Sequence, residues 1–278
     1  LKKVLKEQTV AKTYQGLTLG LCNQKGGAAK TTSAAALAAL YGEQGLKVLA
    51  VDSDAQGNLS LQFGVDCLTD KTIKGTIADV YLGRATAPEV ITHTRFNGVD
   101  LIPASMDLAA VEIVMPTLPG CDLLLSTALE TERINYDLII LDSPPNLGKF
   151  AVNVLNAADF FVVPVDGPWA LRSVDTLLKL ARDNSRVYKL SSKFLGVFLT
   201  MSDRTRLTGG VRSEAEERYP GLLFKSEIRR STQAREAAAM ETPIPLYAAD
   251  SAVATDYRSL AREVAERMGL NTAPRKGK

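Results

Sequence analysis

Two lysines five positions apart, Lys25 and Lys30, bracket the small residues Gly26, Gly27, Ala28 and Ala29, and the hydroxyls of Thr31 and Thr32 follow directly. Small residues leave backbone N–H groups open to a bound anion. A lysine at the position of Lys30 can reach the β- and γ-phosphates of a nucleotide, and a hydroxyl at Thr31 can ligate Mg²⁺. The segment follows an apolar run, Leu17 to Cys22, and opens an alanine-rich stretch, Ser33 to Leu40. Strand, glycine turn and helix is the context in which converging N–H groups and a helix dipole bind phosphate. One position departs from the pattern. Such loops carry Gly immediately before the second lysine, and here the residue is Ala29.

Nucleotide chemistry also needs a carboxylate near the metal and a group that orients the attacking water. Two apolar runs end in acids. Lys47 to Val51 leads into Asp52, Ser53 and Asp54, and Tyr136 to Leu141 leads into Asp142, Ser143, Pro144 and Pro145. Continuous apolar strands with an acid at the carboxyl end suit the middle of a parallel sheet, where ligands bind at the strand ends. Asp142 suits the metal-linked role, Asp54 the water-orienting role, and Asp52 a supporting role near the metal. Read by themselves, Asp52 and Asp54 are equally strand-end caps, and Lys25 is equally a solvated loop lysine. The two prolines stiffen the turn after Asp142.

These residues need a framework of alternating elements. The pattern predicts strands near 17–22, 47–52, 99–103, 136–142, 159–165, 193–200 and 222–226. It predicts helices near 30–45, 76–82, 106–114, 121–133, 147–156, 169–184, 209–219, 232–240 and 251–268. The alternation argues for one α/β domain, residues 16–270, built on a mostly parallel twisted sheet with helices on both faces. Residues 1–15 and 271–278 read as mobile ends. The absence of an initial Met suggests a trimmed chain. With 278 residues, 46% of them hydrophobic and 23% charged, the chain can bury a full core. No apolar run approaches the ~18 residues of a membrane span. The first residues lack the apolar core of a secretory signal. Cys22, Cys67 and Cys121 show no metal spacing and read as reduced, buried small residues of a cytosolic protein. His93, the one histidine, falls in an expected surface loop without a role.

The chain resembles the ParA-type partition ATPases, the deviant Walker A class of P-loop NTPase that also contains MinD. That class carries K-G-G-x-G-K-T-[ST], D-x-D-P-Q-G-N and D-x-P-P. The corresponding stretches here are Lys25 to Thr32, Asp52 to Asn58, with Ala55 in place of proline, and Asp142 to Pro145. Ile102 to Ser105 with Asp107 to Ala109 is similar to the segment after the family's third strand. Thr200 to Thr205 resembles T-M-y-D-x-R-T less one residue, and Ile228 to Arg230 with Glu236 and Ala237 resembles I-P-R followed by E-A. The resemblance runs from about residue 16 to about 268.

It implies ATP or ADP with Mg²⁺ as cofactors and a homodimer formed on ATP binding. Lys25 of each subunit then reaches the partner's nucleotide phosphates, and Met201 and the Ile228–Arg229 segment approach the adenine. It also implies DNA binding without sequence preference, release on hydrolysis stimulated by a ParB-type partner, and a cytoplasmic, nucleoid-associated location. The short segment before residue 16 leaves no room for the helix-turn-helix domain that some partition ATPases carry there.

Two features modify that picture. Alanine is the smallest replacement for the glycine before Lys30, so Ala29 leaves the loop unchanged on one reading. On the other, the backbone there takes positive φ, at a cost of roughly 1–2 kcal/mol for a residue with a Cβ. A hydrolysis-impaired DNA-binding or regulatory paralogue then becomes the alternative, as does a positioning ATPase for another cargo. Secondly, residues 204–235 contain eight basic and four acidic residues, a local +4 in a chain of net +2. Arg204, Arg206 and Arg230 are the leading candidates for phosphate contact, with Lys2, Lys3, Lys6, Arg275, Lys276 and Lys278 as diffuse attraction or solubilising tails. Membrane attachment is not expected. The last helix alternates charges around a narrow stripe of Leu260, Val264 and Met268, suited to packing on the domain. Cys67 and Cys121 do not sit in the glycine-rich contexts of an iron–sulfur relative.

Overall fold

A computed structural model describes residues 16–272. The terminal segments 1–15 and 273–278, with the basic residues expected to act there, lie outside the described residues.

The apolar runs form a seven-stranded sheet in the order β3-β4-β2-β5-β1-β6-β7. The strands are β1 (Leu17–Leu21), β2 (Val48–Asp52), β3 (Thr92–His93), β4 (Val99–Ile102), β5 (Leu138–Asp142), β6 (Phe160–Val165) and β7 (Lys193–Leu199). All neighbours pair parallel except β3 with β4. Every residue of β2 and β5 is buried, as strands covered on both faces must be. The register sets Asp142 opposite both Leu21 and Asp52, so the carboxyl ends of the three central strands converge.

The helices follow in chain order: α1 (Lys30–Glu43), α2 (Asn58–Gln62), α3 (Ile77–Tyr81), α4 (Ala87–Val90), α5 (Leu108–Val114), α6 (Leu124–Ala128), α7 (Glu132–Asn135) and α8 (Lys149–Ala157). Then come α9 (Pro168–Tyr188), α10 (Arg206–Arg218), α11 (Gln233–Ala239), α12 (Ile244–Tyr247) and α13 (Ala252–Met268). One core layer packs α3, α8, α9 and α10 on one face of the sheet, and a second packs α1 and α13 on the other. Five buried alanines let α1 lie close to the strands. A Cβ on Gly42 of the same helix would stand 2.3 Å from the Asn97 carbonyl oxygen, so only glycine fits there. Leu260, Val264 and Met268 of α13 are buried against the domain, as their stripe predicts.

The structure corrects several expectations. Residues 222–226 form no ladder strand. They run beside β7 through a single bridge, Val197 to Leu223, and at Gly196 the Leu222 carbonyl comes too close for any side chain to sit between. The helix expected over 121–133 is two short helices, α6 and α7, broken where Leu129 turns into the core. Helix α10 begins at Arg206 rather than 209, capped by Thr205, whose Oγ1 accepts from the Thr208 N–H at 3.3 Å. Gly209 and Gly210 mask that first turn in the sequence, since glycine disfavours helix. Short α2, α4 and α12 show no period to read. Only Cys22 of the three free cysteines is fully buried. His93 sits on β3, its Nδ1 2.7 Å from Asp100 Oδ1.

Candidate nucleotide-binding site

The loop between β1 and α1 is held at its base by Asn23, a buried amide. Its Nδ2 donates to the Pro164 carbonyl at 2.8 Å, and its Oδ1 accepts from the Lys25 N–H at 3.0 Å and from Ser173 Oγ at 2.7 Å. The loop is thereby tied to the end of β6 and to α9. No motif of the chain assigns Asn23 a role. Its signal was a multivalent polar side chain directly after an apolar strand, which burial obliges to find partners.

Ala29 caps α1 at φ 65 and ψ 28, in the left-handed region. The backbone thus takes the second of the two readings of Ala29, and the Cβ costs about 1–2 kcal/mol there. Gly27, at φ 81, makes the other left-handed turn without that cost. Ala28 is buried, its carbonyl accepting from Thr200 Oγ1 at 3.2 Å.

Lys30 is buried, and its Nζ donates to the Lys25 carbonyl at 3.3 Å. Burial holds its pKa below the ordinary lysine value, against the opposing pull of Asp142. Thr31 Oγ1 donates to Asp142 Oδ2 at 2.6 Å. The other carboxylate oxygen, Asp142 Oδ1, is buried without a hydrogen-bond partner. Burial first, then the charge of Asp52, push the Asp142 carboxyl well above its usual range. An orphaned carboxylate oxygen beside a threonine hydroxyl is a donor set that fits Mg²⁺. Hard cations take such oxygen ligands, and the charge would relieve the cost of ionising Asp142.

Asp52 is engaged differently. Its Oδ2 accepts from the Ser60 N–H and Oγ at 2.9 and 2.8 Å, and its Oδ1 accepts from the Asp54 N–H at 3.1 Å. Burial pushes its carboxyl up to about 6. It pins the 53–57 loop to α2 and so orients Asp54, which is half-buried and faces the same cavity as Lys30 and Thr31.

That cavity has a volume of about 520 Å³. It brings together Gly26, Gly27, Ala29, Lys30, Thr31, Thr32, Asp54, Met201, Arg229 and Arg230. Ala28, Asp52 and Asp142 lie outside its lining, and so does Lys25, whose Nζ meets Asp166 at 2.5 Å. The far wall is apolar, made by Ile228, Ala234, Ala238, Val253 and Tyr257, and suits a planar base. Apart from Ile228, no motif marks this wall, because α11 and α13 meet the loop only in three dimensions. Arg229 is held to Asp256 by its N–H and two guanidinium bonds, at 3.1, 2.6 and 2.8 Å. A larger, more open depression of about 770 Å³ lies at the opposite end of the strands, by Lys47, His93 and Tyr136. Parallel sheets bind ligands at their carboxyl ends, so the chemistry belongs to the smaller cavity.

The basic segment divides in two. Arg212 pairs with Glu227, Arg218 with Asp175 and Glu214, and Arg229 with Asp256. Arg204, Arg206, Arg230, Lys225 and Arg235 are exposed and make no ion pair among the described residues.

Fold and site together define a P-loop nucleotide-binding protein of the doubly wound α/β class. Residues 17–191 match the family described as AAA domain. The chain is 34% identical to the sporulation initiation inhibitor protein Soj of Bacillus subtilis, over 90% of this chain and 98% of that protein. It is likewise 34% identical to the chromosome partitioning protein ParA of Caulobacter vibrioides, over 90% of this chain and 94% of the relative. It therefore belongs to the ParA/Soj family of partition ATPases. Among solved structures, cobyrinic acid a,c-diamide synthase of Mycobacterium smegmatis, with bound ATP analogue and magnesium, superposes with a TM-score of 0.76 at 29% identity. That match covers 93% of this chain and 98% of the other. The cell division ATPase MinD of Pyrococcus furiosus superposes with a TM-score of 0.75 at 25% identity, covering 90% and 99%. No helix among the described residues is long and apolar enough to cross a membrane.

Proposed function

We propose that this chain is an ATP-dependent partition protein that binds DNA as a nucleotide-gated dimer. The observation that carries the reading is the Thr31–Asp142 hydrogen bond, with an orphaned Asp142 oxygen at the foot of a cavity that also holds Lys30 and Asp54. In this reading Lys30 and the loop N–H groups bind the β- and γ-phosphates of ATP, and Thr31 and Asp142, supported by Asp52, hold Mg²⁺. The metal offsets the phosphate charge when bound. Asp54 orients the attacking water. Met201, Arg229 and the apolar wall position the base. Two subunits face one another across the nucleotide, each Lys25 leaving Asp166 to reach its partner's phosphates. Arg204, Arg206 and Arg230 of both subunits then meet DNA phosphates together. A ParB-type partner stimulates hydrolysis and release, so a plasmid or chromosome origin moves over the nucleoid in the cytoplasm.

The left-handed Ala29 favours a second reading, a hydrolysis-impaired paralogue that binds DNA without turnover. One set of measurements separates the two: ATP affinity, ATP turnover, and duplex affinity with and without ATP. ATP-dependent DNA binding with measurable turnover supports the partition ATPase. DNA binding indifferent to ATP, without turnover, supports the paralogue. Absence of both ATP and DNA binding sinks both readings.

A further inference from the structure

Helix α9 carries a second concentration of positive charge that the nucleotide site does not use. Between residues 172 and 193 stand Arg172, Lys179, Arg182, Arg186, Lys189 and Lys193, against only Asp175 and Asp183. All six cations are exposed. The acids do little to neutralise them. Asp175 is occupied by Arg218 of α10 and by Tyr219, which follows that helix, and Asp183 approaches only Arg186, at 3.9 Å. With about 3.6 residues per turn, Arg172, Lys179, Arg182 and Arg186 share one face. The opposite side of the helix, with Val174, Leu177 and Ala181, is buried in the core.

A merely solvated helix face mixes its charges, as α13 does with Arg258, Arg262, Glu263, Glu266 and Arg267. On α9 the cations themselves occupy the neighbouring positions of the helix surface, 179 to 182 and 182 to 186, and Lys189 follows at the C-cap. Like charges at i,i+3 and i,i+4 repel and weaken a helix unless a counter-charge relieves them. From Arg172 to Arg186 the stripe spans about 21 Å of helix axis. A DNA duplex presents one phosphate charge per about 1.7 Å of its own axis, an extended partner of matching sign and length. Helices α9 and α10 pack on the same face of the sheet, and the Asp175 bonds join them. Through Asp175 the stripe borders the last turn of α10 at Arg218, while Arg206 opens that helix at its other end. A lipid surface fits less well. The bulky apolar side chains exposed on α9 are Trp169 and Val187, at opposite ends of the helix, too sparse to enter a bilayer.

We infer that the exposed face of α9 is a second DNA-contacting surface, in which Lys179, Arg182 and Arg186 bind duplex phosphates in addition to those met by the 204–230 cluster. This rests on the DNA binding proposed above.

The test measures anisotropy of a labelled mixed-sequence duplex with ATP and Mg²⁺, over about 50–200 mM salt, where phosphate contacts govern affinity. Four proteins are compared: the parent, the triple variant K179E/R182E/R186E, its neutral counterpart K179Q/R182Q/R186Q, and R204E/R206E/R230E. The Glu variant of α9 is expected to bind at least about tenfold more weakly at the lowest salt. Its plot of log affinity against log salt should flatten by roughly 0.9 for each phosphate no longer neutralised. The Gln variant should flatten the slope similarly with a smaller drop in affinity, and it decides the matter if the Glu variant fails to fold. ATP affinity should equal the parent's in both α9 variants. Unchanged DNA affinity and slope in both, while R204E/R206E/R230E no longer binds DNA, overturns the α9 surface and leaves the proposed DNA binding standing. A parent protein that binds no duplex in any nucleotide state overturns both. Loss of binding to phosphatidylserine vesicles, with DNA binding intact, assigns the stripe to membrane and overturns the inference.

Discussion

Lys25 and Asp166 form an ion pair within one subunit, Nζ to Oδ2 at 2.5 Å, between the first lysine of the phosphate loop and the residue that directly follows β6. The Lys25 side chain remains 36% exposed while that of Asp166 is 11% exposed. Asn23 anchors both ends of this contact, through the Lys25 N–H and the Pro164 carbonyl. A lysine that must serve a partner subunit has first to leave this carboxylate. Asp166→Asn should therefore ease ATP-dependent self-association. Such a pair contributes about 0.2–1 kcal/mol, and the dimer breaks two of them, so the gain is up to roughly 30-fold in dimer affinity. Sedimentation velocity with a slowly hydrolysed ATP analogue checks it. Weaker association in the variant would show that Asp166 supports the dimer instead of opposing it.

Lys30 and Asp54 should separate binding from turnover. Lys30→Ala removes the buried cation of the loop and should abolish ATP binding. Asp54→Ala leaves the loop, Thr31 and Asp142 in place, so binding should persist while hydrolysis slows and a nucleotide-bound dimer accumulates. Titration calorimetry and phosphate release report the two steps. ATP bound by Lys30→Ala as tightly as by the parent would move the site elsewhere.

Ala29→Gly removes a Cβ from a residue at φ 65. Relief of left-handed strain should raise folding stability by about 1 kcal/mol, less any entropy that glycine adds to the unfolded chain. If the Cβ also crowds the phosphate, ATP affinity should rise as well, roughly 30-fold for two kcal/mol. Denaturant unfolding and ATP titration distinguish loop strain from phosphate crowding. No change in either would make Ala29 a neutral substitution.

Glu263 offers a pH-dependent test of the segment that carries the basic cluster. It accepts from the N–H groups of Lys225 and Ser226 at 3.0 and 2.9 Å and from Arg267 Nη2 at 2.7 Å. Burial raises its pKa, but these bonds together outweigh burial and leave it below the ordinary 4.5. A carboxyl whose pKa is depressed on folding contributes stability above its unfolded value and loses it as pH falls through the folded value. Glu263→Gln should cost about 1.5 kcal/mol at neutral pH. The gap between variant and parent should narrow below pH 4.5. Urea unfolding across that range checks the sign. A gap that stayed constant would mean the ionised carboxylate contributes nothing.

Much of the site was readable because the residues that bind phosphate are contiguous. Lys25 to Thr32 occupy one turn, and the apolar runs before Asp52 and Asp142 announce buried parallel strands on composition alone. Asn23, Asp166 and the α11–α13 wall were not readable. Their partners lie far along the chain, and nothing local distinguishes an amide or an acid that will be buried from one that will not. The charge count misled for a similar reason. Arg212, Arg218 and Arg229 look like their neighbours in sequence, yet each is committed to a carboxylate, while Arg204, Arg206 and Arg230 stay uncommitted among the described residues.

The sequence alone determined the α/β class, the phosphate loop, the two acid-ended strands and the family resemblance, because these depend on local spacing and strand-length runs of apolar residues. Tertiary structure decided the rest. The pairing of Lys25 with Asp166 and the orphaned oxygen of Asp142 arise when β1, β5 and β6 are laid side by side, and Ala29 takes its left-handed turn where the loop enters α1. That packing strips water from some polar groups and leaves others to find partners that no linear pattern names.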